Sequence, residues 1–306
     1  MEKDYLKFIE QFLNESSVLK PQPTLLKPLT RADPKIKCVV FDIYGTILIS
    51  ASGDIDETEI TIENLKTALD ASEIRISNSL VNEYSLLSGM LETFKKSIRD
   101  FHSIIQNENL PYPEIDILEI WENIINDYSN RKELIINGSL CIKCFTFVFE
   151  VLSNRIYPMP GLTELIDLLA KKAIPLGIIS NAQFYTPVIL NFFLHHKVVD
   201  QNRVSPFDPD LTVFSYEYKR SKPDAFLFEV LKNQCRQKYS IYADEILFVG
   251  NDMYRDIYPA YRAGFKTALF AGDAKSLRLR EDKTELQTIT PDFIITDLMQ
   301  LLKIIT

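Results

Sequence analysis

From about residue 157 to the carboxyl end helical stretches alternate regularly with short apolar strands, without an internal sequence repeat, and this alternation constrains the fold more than any other feature. Pro160-Gly161 opens a helix that runs to about Lys172, Ile174 to Ile179 reads as a strand, and Thr186 begins a helix that ends near His196. Leu211 to Phe214 is the next strand, Asp224 to about Arg236 a helix, and Glu245 to Val249 a strand followed by a helix to about Ala263. A strand at Lys266 to Phe270 and a last strand and helix from Asp292 to Ile305 complete the series. Strands without polar alternation are buried on both faces, as happens in a parallel sheet covered by helices above and below. The expected fold is α/β, a Rossmann-like, doubly wound, mainly parallel sheet.

The first strand of that sheet lies well before the others. Residues 37 to 49 begin as a buried strand and break at Gly45. From Asp56 to about Leu152 the period changes to spacings of three and four, as in Ile117, Ile120, Trp121, Ile124 and Ile125, which predicts amphipathic helices. The organisation expected is an amino-terminal helix and proline-containing connector over 1–36, a core made of 37–55 and 153–306, and a helical insertion over 56–152.

A net charge of -8 repels polyanions, so nucleic acid and anionic membrane surfaces are excluded as general partners, while a local cationic pocket for a small anion is allowed. No segment approaches the ~18 apolar residues that a membrane span needs, and the expected location is the cytoplasm. Four cysteines do not make a disulfide scaffold in 306 residues. Cys38 sits in an apolar run as a buried thiol would, and Cys141 and Cys144 form a CxxC without a second pair at zinc-site spacing, which reads as helix packing rather than a metal or redox site. His195 and His196 are adjacent, point apart on a helix and make a poor metal pair.

Ligands of an open parallel sheet gather at the carboxyl ends of its strands, and four such ends here carry polar groups. They are Phe-Asp-Ile-Tyr-Gly-Thr at 41–46, Ile-Ser-Asn-Ala at 179–182, Ser-Lys-Pro-Asp around Lys222, and Val-Gly-Asn-Asp-Met-Tyr-Arg-Asp at 249–256. Asp42, placed directly after an apolar strand and before the turn at Gly45 and Thr46, is held and exposed as a carboxylate nucleophile must be, although an aspartate there also caps turns. Ser180 and Asn181 can donate to a developing anion, and Lys222 can neutralise both the nucleophile and a transferring phosphoryl group. Asp252 and Asp256 stand four apart; as hard oxygen donors they suit Mg²⁺, and as carboxylates at a helix amino terminus they also suit the macrodipole.

These four motifs, in this order, resemble those of the haloacid dehalogenase superfamily, and the resemblance spans residues 37–49 and about 157–300. It implies a hydrolase with Asp42 as nucleophile, Ser180, Asn181 and Lys222 around the reacting group, and Mg²⁺ held by Asp42, the Tyr44 carbonyl and a carboxylate from Asp252 and Asp256. The insertion resembles a helical cap by its position, and Lys95, Arg99, His102, Arg131 and Lys132 are its candidate substrate contacts, each also at home on a solvated helical face.

Two positions depart from the phosphatases of that superfamily. Tyr44 stands where they carry the aspartate that protonates the leaving alcohol, and a phenol of ordinary pKa about 10 does that poorly near neutrality. Asn251 stands where many carry the first acid of the last motif. Tyrosine at position 44 is what 2-haloacid dehalogenases of the superfamily have, but the arginine they place soon after the first motif is missing, since Arg75 is the first after residue 47. A Mg²⁺-dependent phosphoryl hydrolase acting on a small molecule is therefore expected, ahead of a metal-independent dehalogenase or a weakly active binding or regulatory module.

Overall fold

Cys38–Phe41, four consecutive apolar residues with no solvent exposure, forms strand β1 at the centre of the sheet. Its side chains alternate between two apolar cores: Val39 and Phe41 enter the larger, Cys38 and Val40 the smaller. A strand that feeds a core on each face must have helices on both sides. The computed structural model describes residues 9–10, 12–14, 18–52, 60–77, 82–105, 110–136, 139–198 and 203–305.

The remaining strands are β2 (Leu48–Ser50), β3 (Arg75–Ile76), β4 (Leu134–Ile135), β5 (Ile156–Pro158), β6 (Leu176–Ser180), β7 (Thr212–Phe214), β8 (Ile246–Gly250), β9 (Lys266–Phe270) and β10 (Phe293–Ile295). Six of them make one sheet in the order β10-β9-β8-β1-β6-β7, with every pairing parallel. The chain winds outward from β1 through β6 to β7, then crosses back to β8 and winds the other way, so the strand order reverses beside β1. The fold is the doubly wound α/β arrangement expected, and its switch point lies at the carboxyl ends of β1, β6 and β8.

The antiparallel pair of β2 and β5 carries the chain out of this sheet and back. Between them, among the described residues, lie four helices, α1 (Ile62–Ala71), α2 (Glu83–Ile105), α3 (Ile117–Asn130) and α4 (Ser139–Ser153), and the two-residue ribbon of β3 with β4. The Thr61 and Asp116 side chains accept backbone N–H groups at the starts of α1 and α3, as N-caps do. The apolar stripe read on α3 packs inward: Trp121 stacks on Phe94 at 4.5 Å between centroids and meets Phe145 and Phe149 edge-on at 4.9 and 4.8 Å. Cys144 is buried among them on α4, while the side chains of Cys141 and His102 lie outside the described residues.

Residues 18–35 strap the far edge of the sheet. Leu29 exchanges two backbone hydrogen bonds with Ile294 on β10, the Asp33 N–H bonds to the Ile304 carbonyl, and the Thr24 hydroxyl to that of Ala271. This covers an edge that would otherwise present unpaired N–H and C=O groups. Two expected helices take other forms: residues 253–257 make a π-turn before a short helix at Tyr258–Arg262, and Leu298–Lys303 is 3₁₀ rather than α. Among the described residues no helix is long and apolar enough to cross a membrane.

Candidate active site

Asp42 continues β1 by one residue. Its N–H still bonds to the Val249 carbonyl of β8 at 2.9 Å, so its position is set by the sheet rather than by a loop. The turn behind it depends on Gly45, whose φ of +83° favours glycine and where a Cβ would lie 2.5 Å from Asn251 Nδ2. That close approach lets Thr46 reach two groups at once: its hydroxyl lies 3.1 Å from Asp42 Oδ2 and 3.0 Å from Asn251 Oδ1.

Two groups converge on the other carboxylate oxygen. The Ser180 hydroxyl at the end of β6 donates to Asp42 Oδ1 at 3.1 Å, and Lys222 Nζ donates to the same oxygen at 2.6 Å. Lys222 Nζ also donates to Asp256 Oδ1 at 2.5 Å, bridging the two carboxylates. Asp42 and Lys222 are each 5% exposed and Asp256 2%, so the bridge is screened from water. Burial drives the Lys222 ammonium toward neutrality, but Asp256 and Asp42 outweigh it and the pKa stands above the ordinary lysine value. Burial raises the Asp256 carboxyl to about 7, so the cluster reaches a charge of -1 only as pH rises above neutrality.

The two acids of the last motif have different partners. Asp256 Oδ2 accepts the N–H groups of Asn251 and Asp252, and a Cβ on Gly250 would fall 2.5 Å from the Asp256 side chain. Asp252 caps the turn instead, accepting from Tyr254 and Arg255 N–H on one oxygen and from Arg280 Nε and Nη2 on the other, at 3.0 and 2.7 Å. Its capacity is consumed by a helix amino terminus and a two-pronged arginine contact. Asn181 is likewise turned to support. Its side chain accepts the Lys222 N–H at 2.7 Å and donates to the Lys222 carbonyl at 3.3 Å, clamping the loop that carries the lysine.

Tyr44 points its hydroxyl at Thr186 Oγ1, 2.8 Å away, and burial holds its pKa well above the usual phenol value. It stays a neutral hydroxyl across the physiological range. The Tyr44 carbonyl accepts no hydrogen bond from the described residues. With Asp42 and Asn251 Oδ1 it offers hard oxygens beside the Asp42–Lys222–Asp256 cluster, a donor set whose chemistry fits Mg²⁺. No group of three acidic, histidine or cysteine side chains able to hold a metal occurs among the described residues, so such an ion would keep waters or substrate oxygens in its shell.

Above the cluster lies a cavity of about 660 Å³, within the ordinary range for small-molecule sites. Its roof is the segment before α3. Ser221 donates its N–H to the Tyr112 carbonyl, Glu114 its N–H to the Lys219 carbonyl, and Gln183 Nε2 bonds to the Ile115 carbonyl at 2.9 Å. The insertion thus rests on the loops after β6 and β7. Two of its carboxylic acids, Glu114 and Glu150, face the cavity and are pushed up to about 7 by burial, with the Tyr185 hydroxyl 3.3 Å from Glu150. Neither acid belongs to a sequence motif; they stand out only once the helices are placed over the sheet. Lys95 and Arg99 lie away from this cavity on the outer face of α2, and Arg131 pairs with Asp127 on the surface of α3. His195 bonds to the Ser205 carbonyl, and His196, at φ +52°, ends its helix.

Comparison with curated proteins gives no match. Among solved structures, a 2-haloacid dehalogenase from Pseudomonas syringae pv. Tomato DC3000 is 17% identical over 88% of this chain and 97% of that one, with a TM-score of 0.53, a likeness of fold. A predicted phosphoglycolate phosphatase from Haemophilus somnus 129PT (18% identical, 88% and 97% covered, TM-score 0.45) and the magnesium-bound HAD-hydrolase YfnB from Bacillus subtilis (18%, 87% and 96%, 0.46) also match. The family profile of haloacid dehalogenase-like hydrolases covers residues 36–264, which include Asp42, Ser180, Lys222 and Asp256, and the chain belongs to that family of hydrolases.

Proposed function

We propose that the protein is a Mg²⁺-dependent hydrolase of small phosphate esters in which Asp42 is the nucleophile. The observation that carries this reading is the buried bridge of Lys222 between Asp42 and Asp256 at the switch point of the sheet. A carboxylate attacking phosphorus needs a fixed position, relief from repulsion by the phosphoryl oxygens, and a pocket closed to bulk water. The amide bond to β8 and the Thr46 and Ser180 hydroxyls fix Asp42. Lys222 supplies the positive charge, and Asn181 holds Lys222 in place. Mg²⁺, when bound, would offset phosphoryl charge beside the Asp42, Tyr44 and Asn251 oxygens, with Asp256 in reserve and Asp252 engaged by Arg280.

Attack by an Asp42 oxygen forms the P–O bond of an aspartyl-phosphate as the ester oxygen departs, and water then cleaves that bond to return the carboxylate. The insertion over 56–152 acts as the cap, with segment 112–117 closing the cavity and excluding competing water. Tyr44 supports a second reading. Halide displacement from carbon needs no proton on the leaving group, and a neutral phenol beside the nucleophile suits it. Turnover of aryl phosphates and of 2-haloacids, each with Mg²⁺ and with EDTA, separates the two. Phosphate release that requires Mg²⁺ and vanishes in folded Asp42→Asn protein is the expected result, whereas halide release in EDTA would replace this reading with the second.

A further inference from the structure

One wall of the cavity is cationic although the chain as a whole carries a charge of -8. Arg255, Arg278, Arg280 and Lys283 line it, and they come from two loops that the backbone stitches together. The Arg278 N–H bonds to the Asn251 carbonyl at 3.0 Å and the Met253 N–H to the Arg278 carbonyl at 2.9 Å, forming a parallel bridge between the loop after β9 and the one after β8. Arg280 is anchored on Asp252, and Arg278 Nη1 donates to the Lys275 and Leu277 carbonyls at 2.7 and 3.1 Å, so this wall is held in place. Lys283 differs from the arginines. Among the described residues no carboxylate lies within ion-pair distance of its ammonium, which sits 5.0 Å from the centre of the Tyr254 ring. The Tyr254 hydroxyl in turn meets Tyr112 of the roof at 2.9 Å.

Positive groups gathered in a cleft with low-dielectric walls repel one another and focus a field into it, which an anion relieves. Lys222 serves the reacting group at the floor and is committed to Asp42 and Asp256. We infer that the wall formed by Arg278 and Lys283 is a subsite for a second anionic group, a phosphate or carboxylate carried by the same substrate as the reacting phosphoryl group. This rests on the phosphoryl-transfer reading and adds to it the substrate class: small phosphate esters with a second negative charge on the part that leaves. Tyr112 and Tyr254 close the cavity over that end.

Calorimetric titration in Mg²⁺ buffer tests this without requiring turnover. The probes are methylphosphonate, with one anionic group, and 3-phosphonopropionate and 1,3-propanediphosphonate, with two. The second group should tighten binding about tenfold, and Lys283→Gln with Arg278→Gln should remove that gain while changing methylphosphonate affinity less than about twofold. Whichever two-headed probe gains more identifies carboxylate or phosphate as the second anion. Methylphosphonate binding without any gain from a second group would overturn the subsite alone, as would a gain that survives in the double variant. No binding of any probe would overturn the phosphoryl reading as well. If the double variant loses methylphosphonate binding through misfolding, Lys283→Gln alone, which breaks no hydrogen bond of its own side chain, should still lower the gain about threefold.

Discussion

Lys222 donates to Asp42 and Asp256 together, and the proposed chemistry of the site rests on this shared hydrogen-bond donor. On the proposed phosphoryl-transfer reading, Tyr44 is the residue that limits turnover. In place of a carboxylic acid it offers a phenol that burial keeps neutral and that Thr186 holds. Replacing it as Tyr44→Asp should raise turnover of alkyl phosphates by about 10²-fold or more, the usual scale of general acid catalysis, and change aryl phosphates little, because an aryl leaving group departs without a proton. Steady-state rates on both ester classes check this, and a folded variant with no gain on alkyl esters would show that proton donation is not what limits the rate. The residues of this cluster were legible in the sequence because each stands within a few positions of a strand end. What each one touches was not. Ser180 and Asn181 both read as anion donors, yet Asn181 clamps the Lys222 backbone, and Asp252 and Asp256, four apart, take separate partners because one is a cap and the other lies inside the turn.

At the scale of elements, the strands were easier to read than what joins them. Lys266–Phe270 falls where the sequence places it: Ala268–Phe270 is buried and apolar, and Thr267 is buried with its N–H and hydroxyl both bonded to Asp292. The strap at 18–35 and the β2–β5 pair carry no such signal; a two- or three-residue pairing is decided by tertiary neighbours rather than by its own pattern. The final helix is 3₁₀, with i to i+3 bonds from the Gln300 N–H to the Asp297 carbonyl and from the Ile304 N–H to the Leu301 carbonyl, and Asp297 caps it through the Met299 N–H. The insertion, by contrast, rests on one aromatic nucleus around the chain's single tryptophan. Trp121→Ala should cost about 3–5 kcal/mol, the usual price of truncating a buried ring. It should loosen α2, α3 and α4 together, as hydrogen exchange would register by lost protection in those helices with the six-stranded sheet still protected. Equal loss of protection in sheet and insertion would mean that the two unfold as one unit.

Across the whole molecule, sheet and insertion enclose a cavity with Asp42 at its floor, cations on one wall and two protonatable acids, Glu114 and Glu150, on others. Those acids tie the stability of the entire chain to pH. Burial raises both from the usual 4.5 to about 7, so the folded state keeps its protons where the unfolded chain has lost them, and stability falls as pH rises from about 4.5 to about 7 and then levels off. Glu150→Gln should flatten that loss by at most about 3 kcal/mol between pH 5 and pH 8, read from urea midpoints at both pH values, and an unchanged pH slope would count against the buried acid. No sequence pattern announces these two residues, since their meaning depends on a helix and a loop from the insertion closing over strand ends far away in the chain. The central claim concerns Asp42 itself. An aspartyl-phosphate reduced by borohydride during turnover becomes homoserine, and peptide mass spectrometry of protein quenched this way in Mg²⁺ with an aryl phosphate should find homoserine at position 42 in the parent and none in Asp42→Asn. Turnover with no reduced residue at position 42, or with homoserine at position 256 instead, would contradict it.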